Sequence, residues 1–368
     1  MALSIAGLAG EVVWGLTNTV IRLGDGSWIA VQTDAPSYTA GQILTGKVVA
    51  SIVNPVVCDD VSVLIELEEA VYWDEERSHT VTEGEPPHQR TRTVWHHDAR
   101  QFRTALFREV IRVAALTAVL PPGMWQWPFS YAIPPSVPGV MKFRKFDDFS
   151  DPSWRSHGRK KETRAEVSFL LKAQLQCRGV FSNDLRSSQE LVVNPLFDWA
   201  RMQPQTSSKA GQVLVCCCIP RGTVVLNVAA DKAAYQMDEV MRITAVIENN
   251  SSSAVRRMVS KLKRVVILRD GAGHSRRLED VICSASYEGV APKSSGTRDM
   301  PLTLTSPTGF LPSIAAPHVT VSYYFSCECD IAFAFDIVAQ MPITIYTPAP
   351  PTGSFAAAFG GQVPAGFA

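Results

Sequence analysis

Val61-Ser-Val-Leu-Ile-Glu-Leu-Glu68 puts Val61, Val63, Ile65 and Leu67 on one side of an extended chain and Ser62, Glu66 and Glu68 on the other. The period is two, that of a strand with one dry and one wet face. A second stretch repeats the pattern, with Val167, Phe169, Leu171, Ala173 and Leu175 set against Ser168, Lys172, Gln174 and Gln176. Strands of this kind belong in antiparallel sandwiches, because parallel sheets are covered on both faces and read as continuous apolar runs. Alternation dominates most of the chain, which predicts an all-β protein.

Working outward, the chain reads as a duplication. Val31, Asp34, Tyr38, Gln42 and Ile43 are matched 197 residues later by Val228, Asp231, Tyr235, Glu239 and Val240. Val167, Phe169, Leu171, Leu175 and Cys177 are matched 152 residues later by Val319, Val321, Tyr323, Cys327 and Cys329. Two equivalent sandwiches follow, and the difference of 45 between the offsets gives the first copy extra loop, expected at Asp74–Arg103 and Met141–Thr163. The length of 368 residues agrees, since roughly 150 residues make a domain. The expected division is an N-terminal extension at 1–26, a sandwich at 27–197, a linker at 198–211, a sandwich at 212–347 and a disordered tail at 348–368 rich in Pro, Gly and Ala. In the extension, Ile5, Leu8, Val12, Leu16, Val20 and Leu23 recur at helical steps, although Gly7, Gly10 and Gly15 weaken such a helix. Its apolar face would pack on a sandwich or on a membrane, and the scarcity of charge favours the sandwich.

Charge and composition exclude several roles. With 35 basic and 35 acidic residues the chain has no overall field to hold nucleic acid. No apolar run approaches the roughly 18 residues of a membrane span, and Met-Ala-Leu-Ser lacks the bases that open a secretory signal. The expected location is therefore the cytoplasm, with free thiols at the 8 cysteines. No Gly-x-Ser-x-Gly elbow, phosphate loop, His-Glu-x-x-His or dinucleotide fingerprint occurs, and neighbouring His96 and His97 would send their rings apart, so no enzyme, metal or cofactor is expected.

With these features in hand, the chain resembles an arrestin-fold protein, closest to the α-arrestin branch. The first half carries Tyr38-x-x-Gly41-Gln42-x-x-x-Gly46, Glu69-Ala-Val-Tyr-Trp73, Leu120-Pro-Pro-Gly123, Trp127-Pro-Phe129 and Ile133-Pro-Pro-Ser136. The second carries Cys216-Cys217-Cys218 followed by Gly222, then Tyr235-x-x-Asp238-Glu239, Glu248-Asn249-Asn250-Ser251 and Pro342-Ile343-Thr344-Ile345. No single piece is specific, but their order and spacing together are, over about residues 27–347. The resemblance implies two immunoglobulin-like sandwiches, joined by a short hinge like cupped hands. It also implies an adaptor that binds membrane cargo or trafficking proteins, peripheral on endosomal or plasma membrane, or else a structural subunit of a retromer-like coat. Physics gives most of these positions a structural role as well, since prolines punctuate turns and protect edges, and Trp73, Trp127, Phe129 and Phe169 fill cores.

Two departures bear on partners. The one Pro-Pro pair of the tail continues Pro350-Pro351-Thr352-Gly353, so ubiquitin ligase recruitment through Pro-Pro-x-Tyr is not expected. The approach Gly24-Asp-Gly-Ser-Trp-Ile-Ala-Val31 lacks the paired lysines with which visual and β-arrestins meet receptor phosphates.

Three clusters remain as candidate sites. Alternation places Arg257, Lys261 and Lys263 on one strand face, read as a phosphoinositide site by its position in the resemblance or as a plain solvated face. Arg155, Arg159, Lys160 and Lys161, with Arg164, form a basic stretch for cargo or anionic phospholipid, or a loop neutralised by Asp147, Asp148 and Asp151. Cys216, Cys217 and Cys218 read as palmitoylation or redox sites. Three consecutive strand residues cannot converge on one metal ion.

Overall fold

The computed structural model describes residues 3–4, 18–20, 25–116, 119–178, 184–215, 219–305, 310–332 and 334–347. It is 71% strand and 3% helix, all-β as the alternation requires. The chain divides into two compact units, with the boundary along the sequence between Leu196 and Phe197.

The first unit contains strands β1 (Leu3–Ser4), β2 (Asn18–Val20), β3 (Trp28–Thr33), β4 (Ser37–Thr39), β5 (Ile43–Ile52), β6 (Val56–Glu83), β7 (Arg90–Ala115), β8 (Val119–Leu120), β9 (Gly123–Ala132), β10 (Met141–Asp148), β11 (Lys160–Cys177) and β12 (Leu185–Asn194). A single helical turn, α1 (Pro152–Ser156), stands between β10 and β11. One layer is the sheet β3-β5-β9; the other runs β1-β2-β12-β11-β6-β7, with β10 also paired to β11. Val61, Val63, Ile65 and Leu67 of β6 face inward beside Val167, Phe169, Leu171 and Leu175 of β11, all buried. Each such side chain contributes about 1.5–3 kcal/mol by leaving water.

The second unit contains β13 (Gln205–Val215), β14 (Ile219–Ala230), β15 (Ala234–Tyr235), β16 (Val240–Met241), β17 (Ile243–Asn249), β18 (Val255–Arg269), β19 (Ser275–Val290), β20 (Ser294–Asp299), β21 (Leu302–Thr303), β22 (Ile314–Ala315), β23 (Val319–Ile331) and β24 (Ile337–Ile345). Its layers are β13-β14-β17-β20 and β15-β24-β23-β18-β19.

The duplication holds down to single hydrogen bonds. Val31 pairs with Val48 in the first unit and Val228 with Ala245 in the second, the same register 197 residues on. Tyr38 and Tyr235 are both buried, on short strands that run parallel to the last strand of their unit. Gln42 Oε1 accepts from the Thr39 N–H at 2.8 Å, and Glu239 Oε2 accepts from the Gln236 N–H at 2.9 Å. A polar side chain three residues on thus ties the same turn in both copies, and this explains why Gln and Glu exchange there. Gly41, at φ +87°, supplies the left-handed residue that the first turn needs. At Gly222 a Cβ would overlap the Asn250 carbonyl oxygen, so only glycine fits.

Three expectations are corrected. The extra residues of the first copy are not loop: Asp74–Arg103 is the far end of the β6–β7 hairpin, and Met141–Thr163 holds β10, α1 and the start of β11. The predicted linker at 198–211 holds a 3₁₀ turn, Trp199–Met202, and then β13, an edge strand whose exposure explains the polar run that made it look like a connector. In the extension at 1–26, Leu3–Ser4 and Asn18–Val20 are strands, β2 pairing with Ser187–Gln189 of β12, whose edge supplies the backbone partners. The rest of that predicted helix, like the tail at 348–368, lies outside the described residues. Of the aromatic residues assigned to cores, Trp73, Phe129 and Phe169 are buried, whereas Trp127 is half-exposed and stacks on Trp125 at 6.3 Å.

The β6–β7 hairpin is held in register by charge. Asp60, Glu66, Glu68, Glu75 and Glu83 on β6 meet Arg112, Arg108, Arg103, Arg100 and Arg92 on β7. Glu66 is fully buried, bracketed by Arg108 and by Lys172 of β11. Burial works against its ionisation, but hydrogen bonds from Lys172 and Arg108 outweigh it and hold the carboxyl below the ordinary glutamate value of 4.5. A carboxyl depressed in the folded state adds stability above its unfolded value, and that stability is lost as pH falls through the folded one. The expected result is a melting temperature that declines below about pH 4.5 and, in Glu66→Gln, a lower plateau at neutral pH with a flatter acid limb, by about 1–3 kcal/mol.

In the second unit Asn249 is fully buried. Its Nδ2 donates to Ser253 O at 2.9 Å and Ala291 O at 3.0 Å, while its Oδ1 accepts from the Ser251 N–H at 3.0 Å and from Ser251 Oγ at 2.6 Å. Asn249→Ala removes all four bonds and takes from the buried Ser251 N–H its acceptor, while Ser253 O keeps Ser251 Oγ and Ala291 O keeps Ser294 Oγ. It is expected to cost about 1–3 kcal/mol in urea unfolding.

Candidate functional site

The strands that close the first unit's core also build a groove of about 830 Å³ on the wet face of β7, β6, β11 and β10. Two cross-strand rows line it. Gln101, Tyr72, Arg164 and Arg144 stand opposite one another in the first, and Arg103, Ala70, Glu166 and Lys142 in the second. Ala70 is the small residue among long ones, and its missing side chain makes the hollow. The walls are held by charge. Arg103 pairs with Glu68, Lys142 with Glu190 at 2.6 Å and Glu166 at 3.3 Å, and Arg144 with Glu162 at 2.8 Å. Arg164 instead lies over the Tyr72 ring, 5.0 Å from its centroid, and is the groove cation not held by a carboxylate among the described residues. The Tyr72 hydroxyl donates to Asp74 Oδ1 at 2.7 Å, which together with burial pushes its pKa up to about 12. The groove therefore offers exposed guanidinium groups beside an aromatic face, suited to acidic groups on an extended chain.

The basic stretch predicted at 155–161 is not part of the groove lining; it runs from α1 into the start of β11. Arg155 donates through Nε and Nη2 to Phe149 O at 3.1 and 2.9 Å, Arg159 lies 5.0 Å over Trp154, Lys160 reaches Asp148 at 4.0 Å and Lys161 reaches Glu76 at 3.3 Å. The expected loop is fixed in place, since Asp151 caps α1 through Ser153 N and Glu76 accepts from the N–H groups of Ser150 and Asp151. His97 Nε2 stands 2.9 Å from Asp151 Oδ2, its ring stacked on Trp154 at 4.0 Å. Burial opposes ionisation of Asp151, but hydrogen bonds from His97 and Ser153 prevail and lower its pKa. The adjacent His96 turns the other way, to His79, as an extended backbone requires.

Arg257, Lys261 and Lys263 do share the wet face of β18. That face already holds carboxylates. Asp330 meets Arg256 at 2.6 Å and Arg257 at 2.9 Å, Glu328 meets Lys261, and Lys263 lies 3.6 Å from Glu279 and 3.8 Å from Glu328. Arg256 and the three acids are the members that the strand's own spacing does not reveal; the acids come from β19 and β23, and Arg256 sits where the ladder shifts register. Cys216, Cys217 and Cys218 lie outside the described residues. Among the described residues no three His, Cys, Asp or Glu side chains gather as a metal site requires, and no helix is long and apolar enough to cross a membrane.

Of the groove, the basic cluster predicted from sequence reaches only Arg164. Lys142 and Arg144 alternate on β10, which is a usable signal, but Arg103 joins them solely through the β6–β7 register.

Two family models match this chain. The model described as "Arrestin (or S-antigen), N-terminal domain" covers residues 29–198, and that described as "Arrestin (or S-antigen), C-terminal domain" covers 220–350. A curated relative, "Arrestin domain-containing protein A" of Dictyostelium discoideum, is 25% identical over 323 residues, covering 87% of this chain and 51% of its own length. The chain thus spans about half the length of that relative.

A lipid headgroup at the β18 face would have to displace Asp330, Glu328 and Glu279 from cations they already neutralise. Joint substitution of Arg257, Lys261 and Lys263 by Gln is therefore expected to leave flotation with phosphoinositide-containing liposomes unchanged. Loss of flotation would instead place the headgroup on this face.

Proposed function

The chain belongs to the arrestin family, and from that premise we propose that it is a non-catalytic cytoplasmic adaptor. Its ligands are extended segments of membrane-protein cargo or of trafficking proteins. The observation that carries this reading is the groove across β7, β6, β11 and β10, where Arg164 is presented on Tyr72 between Arg144 and Gln101. An extended segment lying there meets the Arg164 guanidinium, flanked by Arg103 and Arg144 on their partners Glu68 and Glu162, and acidic or phosphorylated side chains supply the charge that complements Arg164. The outer edge of β7, paired among the described residues only with β6, adds a row of backbone groups for strand addition.

Charge attraction from exposed arginines raises the rate of encounter more than the final affinity, which suits a reversible adaptor. Recruitment to endosomal or plasma membrane then follows from the cargo.

The test is cross-linking in intact cells followed by identification of neighbours, comparing the natural chain with a variant carrying Arg103→Gln, Arg144→Gln and Arg164→Gln. All three side chains are exposed on the sheet surface, so the fold should persist, as circular dichroism would show. Recovery of membrane or trafficking proteins should fall at least about threefold, as expected when several charge-assisted contacts are lost. Unchanged recovery removes the groove from the site, and a neighbour set without such proteins overturns the adaptor reading.

A further inference from the structure

Cys58 and Cys177 face each other across the β6–β11 ladder, one near the start of β6 and the other at the end of β11. Their sulfurs are 3.5 Å apart. Directly opposed residues of an antiparallel pair have Cα atoms about 4.5 or about 5.5 Å apart, depending on the hydrogen-bonding site. Both spacings lie inside the range that a disulfide spans. The ladder shifts register between Gln176 and Cys177, and the shift leaves Asp59 unmatched and sets Cys177 against Cys58. The strand ends are pinned around them, since Arg178 N donates to Val57 O at 2.8 Å and Cys177 N to Asp184 Oδ1 at 3.1 Å.

We propose that Cys58 and Cys177 form a reversible dithiol–disulfide couple that closes under mild peroxide and opens to a thiol reductant. The two cysteines are not equivalent. Cys58 is buried and Cys177 half-exposed, so a small oxidant reaches Cys177 first. The hydrogen bond from the Cys58 thiol lowers the pKa of Cys177, while that same bond and burial raise the pKa of Cys58. In the first step the Cys177 thiolate attacks one oxygen of hydrogen peroxide, the O–O bond breaks, and Cys177 becomes a sulfenic acid with release of hydroxide, which takes up the proton that Cys177 had lost. In the second the Cys58 sulfur attacks the Cys177 sulfur, the S–O bond breaks, and the oxygen leaves as water with the Cys58 proton. Two thiols and one peroxide thus give one disulfide and two waters. The new bond joins residues 119 apart and encloses the whole β6–β7 hairpin. Reduction by thiol exchange returns both hydrogens.

The contrast with the second unit is informative. Cys327 and Cys329 lie on one strand with both side chains inward, and burial pushes each thiol up to about 12. No peroxide reaction is expected there.

The experiment treats the native, unaltered chain with a small excess of hydrogen peroxide, blocks remaining thiols with maleimide under denaturing conditions, and maps the digest by mass spectrometry. The expected main product is a peptide pair joined through Cys58 and Cys177, two hydrogens lighter than the reduced pair and released by dithiothreitol. In Cys58→Ser, Cys177 should halt at the sulfenic acid and take up at least tenfold more dimedone than in the natural chain. The proposal is overturned if both cysteines remain maleimide-reactive, if Cys177 proceeds to sulfinic acid in the natural chain, or if dimedone labels Cys177 equally with and without Cys58. Because the first measurement uses the unaltered chain, it stands even if the variant does not fold.

Discussion

The antiparallel register that sets Leu171 opposite Ile65 and Leu175 opposite Val61 governs the first unit. With a side-chain period of two, a slip of one residue would turn every inward aliphatic chain to water and every outward charge into the core. Glu66 reinforces this. As a fully buried carboxylate it is tolerable only where Arg108 and Lys172 reach it from both flanking strands, so a slipped register would leave a charge buried without a partner. The groove rows and the facing thiols are both downstream of that register. Arg164 meets Tyr72 because Leu171 meets Ile65, and a one-residue shift of that register past Gln176 brings Cys177 to Cys58.

Much of this architecture is legible in the residues, and the reason is local. Alternation is read along one strand at a time, so Val61–Leu67 and Val167–Leu175 announce two inward faces without reference to any partner. The duplication is legible because turns are local too: Gln42 and Glu239 act within three residues, and their spacing survives as sequence. What fails to show is whatever depends on a strand's neighbours. The 74–103 stretch looks like loop because a two-stranded ribbon exposed on both faces has no reason to alternate apolar with polar. The 198–211 stretch looks like a linker for a related reason, since the exposed edge strand β13 is free to be polar.

The same reasoning explains how the candidate sites fare. Arg257, Lys261 and Lys263 are correctly grouped on one face by their own spacing, but Asp330, Glu328 and Glu279 arrive from other strands, and only the fold shows them. A run of like charges on one strand is often answered in this way by its neighbours. Electrostatic readings of single strands therefore overstate the field. The groove is the reverse case. Arg103, Arg144 and Arg164 are scattered in sequence, and three strands bring them to one face.

Comparison of the two copies shows where new surface arises. The pair β3–β5 keeps its register in β14–β17, whereas β6 and β7 run to 28 and 26 residues against 15 and 16 for β18 and β19. A ribbon of two strands is marginal in water by itself, because it has too little apolar area to bury. The first unit stabilises the extension by other means: acids on β6 answered by arginines on β7, and a base where Glu76, Asp151 and His97 tie the hairpin to α1. These contacts lie outside the sandwich core, so the ribbon can change in length and charge without disturbing Phe169 or Leu171. The duplicated core is constrained by packing on the inner face of the sheet, and the groove lies on the wet face of that same sheet, which core packing leaves free.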